Sequence, residues 1–314
     1  MHSIADPLFV IINVTSGSQD GKRAQATIEH ELKAAQRRFE FFVAERGEEV
    51  EVLALRAAER AERDGGAVVA VGGDGTINAA ARATLPTGRP LGIIPQGTFN
   101  YTTRTHGIPS DTREATLALL TARPVPMQVG LVNERAFLVN AGVGLHPELL
   151  EDREDYKARF GRYRSVAFAA GLSTLLREHR QLALEIEHDR EHEIVRTPSL
   201  FVGNNALQFA QTGLEQAGDA LEHRRLAAVL VKPVSTWTLV ELALRGALGR
   251  LGEDTHVRSF GFKRLVVNPL GRMRRGRVKV AADGEVFTLR PPLIFKVSPR
   301  TLPLLVPADT PKDA

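Results

Sequence analysis

A chain of 314 residues, 43% apolar and 25% charged, has the balance of an ordinary globular protein and is long enough for two domains with sizeable cores. It contains no cysteine, which excludes disulfides, thiolate metal sites and a cysteine nucleophile. A net charge of +4 and an isoelectric point near 9.6 favour anionic partners such as a nucleotide, a nucleic acid or an anionic bilayer.

In chain order, Leu8–Val14 is a β-branched apolar run that predicts a buried strand, followed by the turn-rich Thr15-Ser16-Gly17-Ser18 and a helix over Lys22–Arg38. Phe39–Val43 reads as a second strand, Val50–Arg63 as a helix, and Ala67–Val71 as a third strand. Gly72-Gly73-Asp74-Gly75 interrupts the pattern before a helix over Ile77–Leu85, a short strand over Leu91–Ile94 and a helix over Thr112–Ala122. Strands alternating with helices predict right-handed βαβ units on a parallel sheet.

After Arg123-Pro124-Val125-Pro126 the texture changes to short strand-like runs: Ala136–Ala141, Leu182–Ile186, Ser199–Gly203, Leu226–Val231, Arg264–Val267, Arg277–Val280 and Val286–Leu289. Turns between most of them predict an antiparallel sandwich or barrel. Amphipathic helical patterns over Arg162–Glu178 and Thr236–Leu251 interrupt it. The expected organisation is an α/β domain over 1–124, a β-sandwich domain over 125–300, and a return segment and tail over 301–314. No run approaches the roughly 20 apolar residues of a membrane-spanning helix, and the N-terminus lacks a secretory pattern. A cytoplasmic protein is therefore expected, meeting the inner face of the membrane only from outside.

Three turns carry the chemistry. In the strand–Gly72-Gly73-Asp74-Gly75-Thr76–helix element the glycines allow close backbone approach, and the start of the next helix suits a phosphate. Asp74 fits a ribose hydroxyl or Mg²⁺ better than a phosphate; a tight turn capped by Asp74 and Thr76 is the plainer reading. Pro95-Gln96-Gly97-Thr98-Phe99-Asn100 repeats the arrangement, and Asn13-Val14-Thr15-Ser16-Gly17 ends the first strand. Either, taken alone, is an ordinary turn. All three follow strands expected to be parallel, so they gather at the sheet edge where open α/β sheets bind ligands.

Gly72-Gly73-Asp74-Gly75-Thr76-Ile77-Asn78, paired with Gly97-Thr98-Phe99-Asn100, resembles the catalytic domain of the diacylglycerol, sphingosine and ceramide kinase superfamily. Asn13–Gly17 is similar to that family's Asn-Pro-x-Ser-Gly turn, with Val14 in place of proline. Phe137–Leu145, Asn204 and Asp283-Gly284-Glu285 match its second domain. Gly-Gly-Asp-Gly-Thr alone is shared with NAD kinases; the paired motifs are more specific. The resemblance implies a nucleotide domain joined to a β-sandwich, with ATP phosphates at the cleft. Asn13, Thr15, Ser16, Gly17, Gly72, Gly73, Asp74, Gly75, Thr76, Asn78, Gly97, Thr98 and Asn100 would hold the nucleotide and its Mg²⁺. It also implies a lipid alcohol, diacylglycerol by default, met at the membrane surface, no nucleic acid partner, and a general base in Glu285 or Asp283, Glu285 slightly ahead. Asp283-Gly284 between Val278–Val280 and Val286–Thr288 equally describes a hairpin turn.

Several family acids are replaced: Tyr101 and Ala79 stand for carboxylates, Ala44 for a threonine, and Glu222-His223-Arg224-Arg225 for a metal-associated Asp-Asp-Gly turn. No residue is assigned to a structural metal. These changes keep two other readings open: a kinase of NAD or another alcohol, and a nucleotide- or lipid-binding protein with weak catalysis. A homodimer is compatible with either. Arg272–Arg277 and the stripe Phe160, Tyr163, Ala167, Phe168, Leu172 and Leu175 read as a solvated basic turn and a core-facing helix, or as lipid-facing features.

Overall fold

Leu8–Asn13 (β1), Ala67–Gly72 (β3) and Leu91–Pro95 (β4) are almost continuous apolar runs, which only strands covered on both faces can use. In the computed structural model, which describes residues 6–14, 18–97, 100–151, 181–271 and 276–308, each is a central strand. Packing divides the chain into two units, Met1–Val129 with Ser298–Ala314, and Gly130–Val297.

The first unit is built on a six-stranded sheet. Its order is Phe39–Ala44 (β2), β1, β3, β4, Leu302–Val306 (β18) and Arg123–Met127 (β5). All neighbours run parallel except the β18–β5 pair. On one face, Ser18–Ala34 (α1) and Thr112–Leu120 (α5) pack together. Ala24, Ile28, Leu32, Ala115 and Leu119 close over Leu8, Val10, Ile12, Ala67, Val69 and Val71. Each fully enclosed Ile or Leu in this layer contributes on the order of 1.5–3 kcal/mol. Val50–Asp64 (α2) and Asp74–Thr84 (α3) pack against one another through small residues, with Ala54, Ala57, Ala58, Ala61, Ala80 and Ala81 buried. Residues 125–129 and 298–300, read from sequence as part of the second domain, lie in the first unit because β5 zips along β18 from Met127↔Leu302 to Arg123↔Val306.

The second unit is a sandwich of two six-stranded sheets in which every pairing is antiparallel. One sheet runs Glu191–Thr197 (β10), Leu182–His188 (β9), Arg264–Pro269 (β14), Leu293–Val297 (β17), Gly130–Val132 (β6), Arg135–Phe137 (β7). The other runs Val257–Phe262 (β13), Leu226–Val231 (β12), Ser199–Gly203 (β11), Asn140–Gly144 (β8), Val278–Ala282 (β15), Glu285–Leu289 (β16). Leu184, Ile186, Leu265, Val267 and Phe295 of the first meet Val143, Leu200, Val202, Ala228 and Val280 of the second in one core. Ala206–Thr212 (α6) and Glu215–Glu222 (α7) cover the outer side of β12 through Phe209, Leu214 and Ala217.

The α/β-plus-sandwich architecture follows the sequence reading, with local differences. Helices α1 and α3 start earlier than the periodicity indicates, at Ser18 and Asp74, because the first turn of a helix needs no apolar residue. Ala136–Ala141, expected as one strand, is two: β7 belongs to one sheet and β8 to the other. Strand β10 escaped notice because it is a mostly exposed, charged edge strand, EHEIVRT. The helix expected over Arg162–Glu178, with its apolar stripe, and Arg272–Arg275 lie outside the described residues.

His146, just past β8, packs its ring 5.4 Å from Phe201 and encloses Nδ1 without a hydrogen-bond partner. Desolvation pushes its pKa down from 6.5 to about 4. Below its ordinary pKa the unfolded chain therefore binds a proton that the folded one refuses. This contribution to stability is complete above about pH 6.5 and is lost as pH falls toward 4, with a ceiling of about 3 kcal/mol. Denaturant titrations from pH 7 to 4.5 should show His146→Leu losing less stability on acidification than the parent protein.

Candidate active site

The strand order β2-β1-β3-β4 reverses direction between β1 and β3, and ligands of open α/β sheets bind beyond the carboxyl ends of strands at such a point. The ends of β1, β3 and β4 carry Asn13, Gly72-Gly73 and Gln96-Gly97. Between them and the α1 and α5 side lies a cavity of about 600 Å³, lined by Asn13, Val71, Gln96, Gly21, Arg23 and Arg113 among others.

Next to Gln96, two bare backbones meet. Gly73 is the N-cap of α3, with φ −84° and ψ −174°, and has no side chain to cap the first-turn N–H groups. A Cβ added to Gly97 would stand 3.2 Å from Gly73 Cα and 2.9 Å from Asn100 Oδ1, so only glycine lets the turns touch without displacement. Beneath them, a Cβ at Gly72 would fall 2.5 Å from Thr76 Oγ1, so Thr76 packs under the strand end. The space beside Gly75 is open. The Gln96 amide donates to Gly72 O at 2.8 Å, which fixes the two strand ends in register. Asn100 takes the left-handed conformation (φ 44°, ψ 41°) as N-cap of the short helix Tyr101–Thr105 (α4), and its Nδ2 donates to Gly97 O at 2.5 Å. Its Oδ1 is buried and makes no hydrogen bond, an acceptor directed at this turn.

Asn13, Gly72, Gly73, Asp74, Gly75, Gly97 and Asn100 are thus gathered at one edge, while Asn78 is buried one turn into α3, 4% exposed. Thr15, Ser16, Gly17 and Thr98 lie outside the described residues. The sequence reading missed Gly21, Arg23, Gln96 and Arg113. A Cβ at Gly21 would come within 2.7 Å of Val14 Cα; a glycine inside a helix, unfavourable by about 1 kcal/mol, was the available signal. Gln96 Nε2 donates to Thr112 Oγ1 at 2.8 Å, Asp111 caps α5, and Arg113 pairs with Glu31 at 2.7 Å. Arg23 is exposed beside them. The bare glycine backbone and buried unsatisfied acceptor next to Gln96, with the exposed Arg23 on the cavity wall, fit a nucleotide with its phosphates.

Asp283 and Glu285 belong to the second unit. Asp283 and Gly284, at φ 47° and 87°, form the two-residue turn of the β15–β16 hairpin. The Asp283 carboxylate also accepts from three backbone amides: Leu138 at 2.6 Å, and Val139 and Asn140 at 2.9 Å each. Those amides belong to the stretch where the chain leaves β7's sheet for β8's. Asn204 satisfies the matching carbonyls, its N–H donating to Val139 O at 2.7 Å and Nδ2 to Leu138 O at 2.9 Å. Two residues picked out by the family resemblance are therefore partners across one sheet crossing. Glu285, at the start of β16, is held by the Arg135 guanidinium, which also stacks 4.3 Å over Phe287.

Where the sequence departs from the family pattern, the substitutes are built into the fold. Ala44 and Ala79 are buried, and Arg225 pairs with Asp189 and donates to Gly261 O. Among the described residues no three His, Asp or Glu side chains cluster as a metal site.

Residues 7–132 match the family described as the diacylglycerol kinase catalytic domain. A diacylglycerol kinase of Staphylococcus haemolyticus is 29% identical over 185 residues, 58% of this chain and 54% of that protein. One from Bacillus subtilis is 35% identical over 137 residues, 42% and 44% respectively. The chain thus spans about half the length of these curated relatives. The crystal structure of a diacylglycerol kinase from Bacillus anthracis str. Sterne superposes with TM-score 0.68 over 98% of both chains at 17% identity, a likeness of fold.

If Asp283 secures the crossing, Asp283→Asn should destabilise the protein although Asn-Gly suits the turn. An amide nitrogen would face a backbone N–H donor, at a cost of about 1–3 kcal/mol. A denaturation midpoint unchanged by Asp283→Asn would remove that role.

Proposed function

From a chain whose residues 7–132 match the family described as the diacylglycerol kinase catalytic domain, we propose a kinase that transfers the γ-phosphoryl group of Mg-ATP to a lipid hydroxyl, diacylglycerol being the default acceptor. The observation that carries this reading is the contact of Gly73 with Gly97 beside the cavity at the β1–β3 switch point. Phosphoryl transfer asks a protein mainly for positioning and charge neutralisation. The first-turn amides of α3 and the bare backbone of Gly97 suit phosphate oxygens, Asn13 and Asn100 offer side-chain hydrogen bonds, and Arg23 supplies positive charge beside the Arg113–Glu31 pair. For the Mg²⁺ that travels with the nucleotide, Asp74 at the start of α3 would be a candidate ligand.

For the proton of the acceptor alcohol the reading favours Glu285. The oxygens of Asp283 are occupied by three backbone amides, whereas Glu285 is partly exposed, its side chain 32% accessible, with Arg135 orienting one oxygen. Glu285 would take the hydroxyl proton as the alcohol oxygen bonds to phosphorus and ADP departs.

Ala79 and Tyr101, which put no carboxylate where relatives of this pattern have one, favour a second reading: a nucleotide-binding protein with little turnover. Thermal unfolding and turnover separate the two.

Saturating Mg-ATP should raise the thermal midpoint, as binding at a hundredfold excess over Kd adds about 2.7 kcal/mol. Gly97→Ala should abolish most of that shift by pushing the two turns apart. An unmoved parental midpoint at millimolar Mg-ATP would count against nucleotide binding altogether.

Incubation with ATP and a total bacterial lipid extract, read by mass spectrometry, should yield a phosphorylated lipid. Glu285→Gln should lower that turnover by roughly 10² to 10⁴ with the ATP shift intact. ATP binding with no phosphorylated product would favour the second reading.

A further inference from the structure

Seven large apolar side chains are exposed among the described residues, and three of them fall on one short stretch: Trp237 at 75%, Leu244 at 50% and Leu248 at 72% exposure. Trp237 and Leu244 lie on the helix Thr236–Ala247 (α8), and Leu248 is its C-cap. At about 100° per residue, spacings of seven and four put all three within about 40° of one line along the helix. They form one stripe.

The opposite face is already used. Leu239 and Leu242 are each 5% exposed, and Leu239 packs with Leu145, Leu149, Val231 and Val234 in a small core of the second unit. Helix α8 is therefore seated by one apolar face and presents a second to solvent. Ser235 caps its first turn through an acceptor bond from Thr238 N at 3.2 Å, so the helix is formed before anything binds.

The charges around the stripe identify what suits it. Glu241, the acid beside it, is paired with Arg245 at 2.7 Å, and Arg245 also reaches Asp254 at 3.2 Å. Lys232 and Arg250 flank the helix at its two ends, exposed, and neither forms an ion pair among the described residues. An apolar stripe led by tryptophan, its own acid neutralised and a cation at each end, complements an anionic bilayer. Tryptophan prefers the headgroup boundary, leucines enter the acyl region, and long basic side chains reach the phosphates.

We propose that α8 is a membrane-docking helix that lies in the plane of an anionic bilayer through Trp237, Leu244 and Leu248. The proposal rests on the lipid kinase reading for its purpose, since a long-chain lipid alcohol must be drawn from a bilayer. The binding itself needs neither ATP nor turnover.

Trp237 is the only tryptophan in the chain, so its emission reports on this face alone. With vesicles of equal parts phosphatidylglycerol and phosphatidylcholine, and no ATP, the emission should shift to the blue and the protein should co-sediment. Leu244→Ser combined with Leu248→Ser should weaken the partition on the order of tenfold or more at an unchanged thermal midpoint. Val52→Ser combined with Leu55→Ser, exposed apolar positions on α2, should leave it unchanged. Lys232→Gln with Arg250→Gln should weaken binding to the anionic vesicles and reduce its sensitivity to salt.

Activity on a water-dispersed short-chain diacylglycerol separates the two readings. Phosphorylation of that substrate without a Trp237 shift on vesicles overturns docking and leaves the kinase reading standing. A Trp237 shift lost in the α8 variant, with no lipid phosphorylated, supports docking and removes the kinase reading. A concentration-dependent dimer broken by the α8 variant, with no vesicle binding, overturns the proposal in favour of a second copy as the occupant.

Discussion

At Leu138 and Val139 the chain passes from one sheet of the sandwich to the other, and backbone groups that a ladder would have paired must find partners elsewhere. The Asp283 carboxylate takes the amides of Leu138, Val139 and Asn140, and Asn204 takes the carbonyls of Leu138 and Val139. Asp283 N–H closes the set on Asn140 O at 2.9 Å. Buried backbone groups left without partners cost about as much as lost hydrogen bonds. Those few contacts therefore secure the crossing between the two sheets that share one core. They also fix the β15–β16 hairpin, and with it the position from which Glu285 projects.

The first unit relies on the opposite device. Its candidate nucleotide edge is shaped by what is missing: no Cβ at Gly73 or Gly97 where the two turns touch, and none at Gly21 where α1 crosses the end of β1. Gly97 and Gly21 leave little room for a Cβ, whereas one at Gly73 would meet only ordinary contact. The cations around the cavity, Arg23 and Arg113, stand on helix surfaces instead. Affinity for a phosphate chain can thus be tuned on α1 and α5 without disturbing the cradle.

The sheet carrying that edge is completed by the end of the chain. β18 lies between β4 and β5, with Leu302 and Leu304 fully buried, so the whole second unit is an insertion between two strands of the first. The first sheet reaches its full width only after residue 306 has been made. Until then β4 has an unpaired, apolar edge, the kind of edge native sheets take care to cover.

Much of this was legible in the order of residues. Unbroken apolar strands alternating with amphipathic helices dictate a parallel sheet, because both faces must be covered, and glycine-rich turns at the strand ends mark its binding edge. The Asp283-Gly284 pair likewise specified its own turn, since few other residue pairs accept positive φ twice in succession. Other features depend on residues far apart in sequence. Nothing between Arg135 and Asn140 announces a change of sheet; it follows from donors supplied some 65 positions later by Asn204 and acceptors supplied some 145 positions later by Asp283. Nor does β18 contain any sign that it inserts beside β4, since an apolar pentapeptide suits any open edge. Arg23, Gln96 and Arg113 look like ordinary surface residues until the strand order sets them around one cavity. The sequence determined the elements and the bare turns, which are local consequences of side-chain size and hydropathy. Which buried groups satisfy one another was decided only by tertiary packing, because a hydrogen bond needs both partners in place.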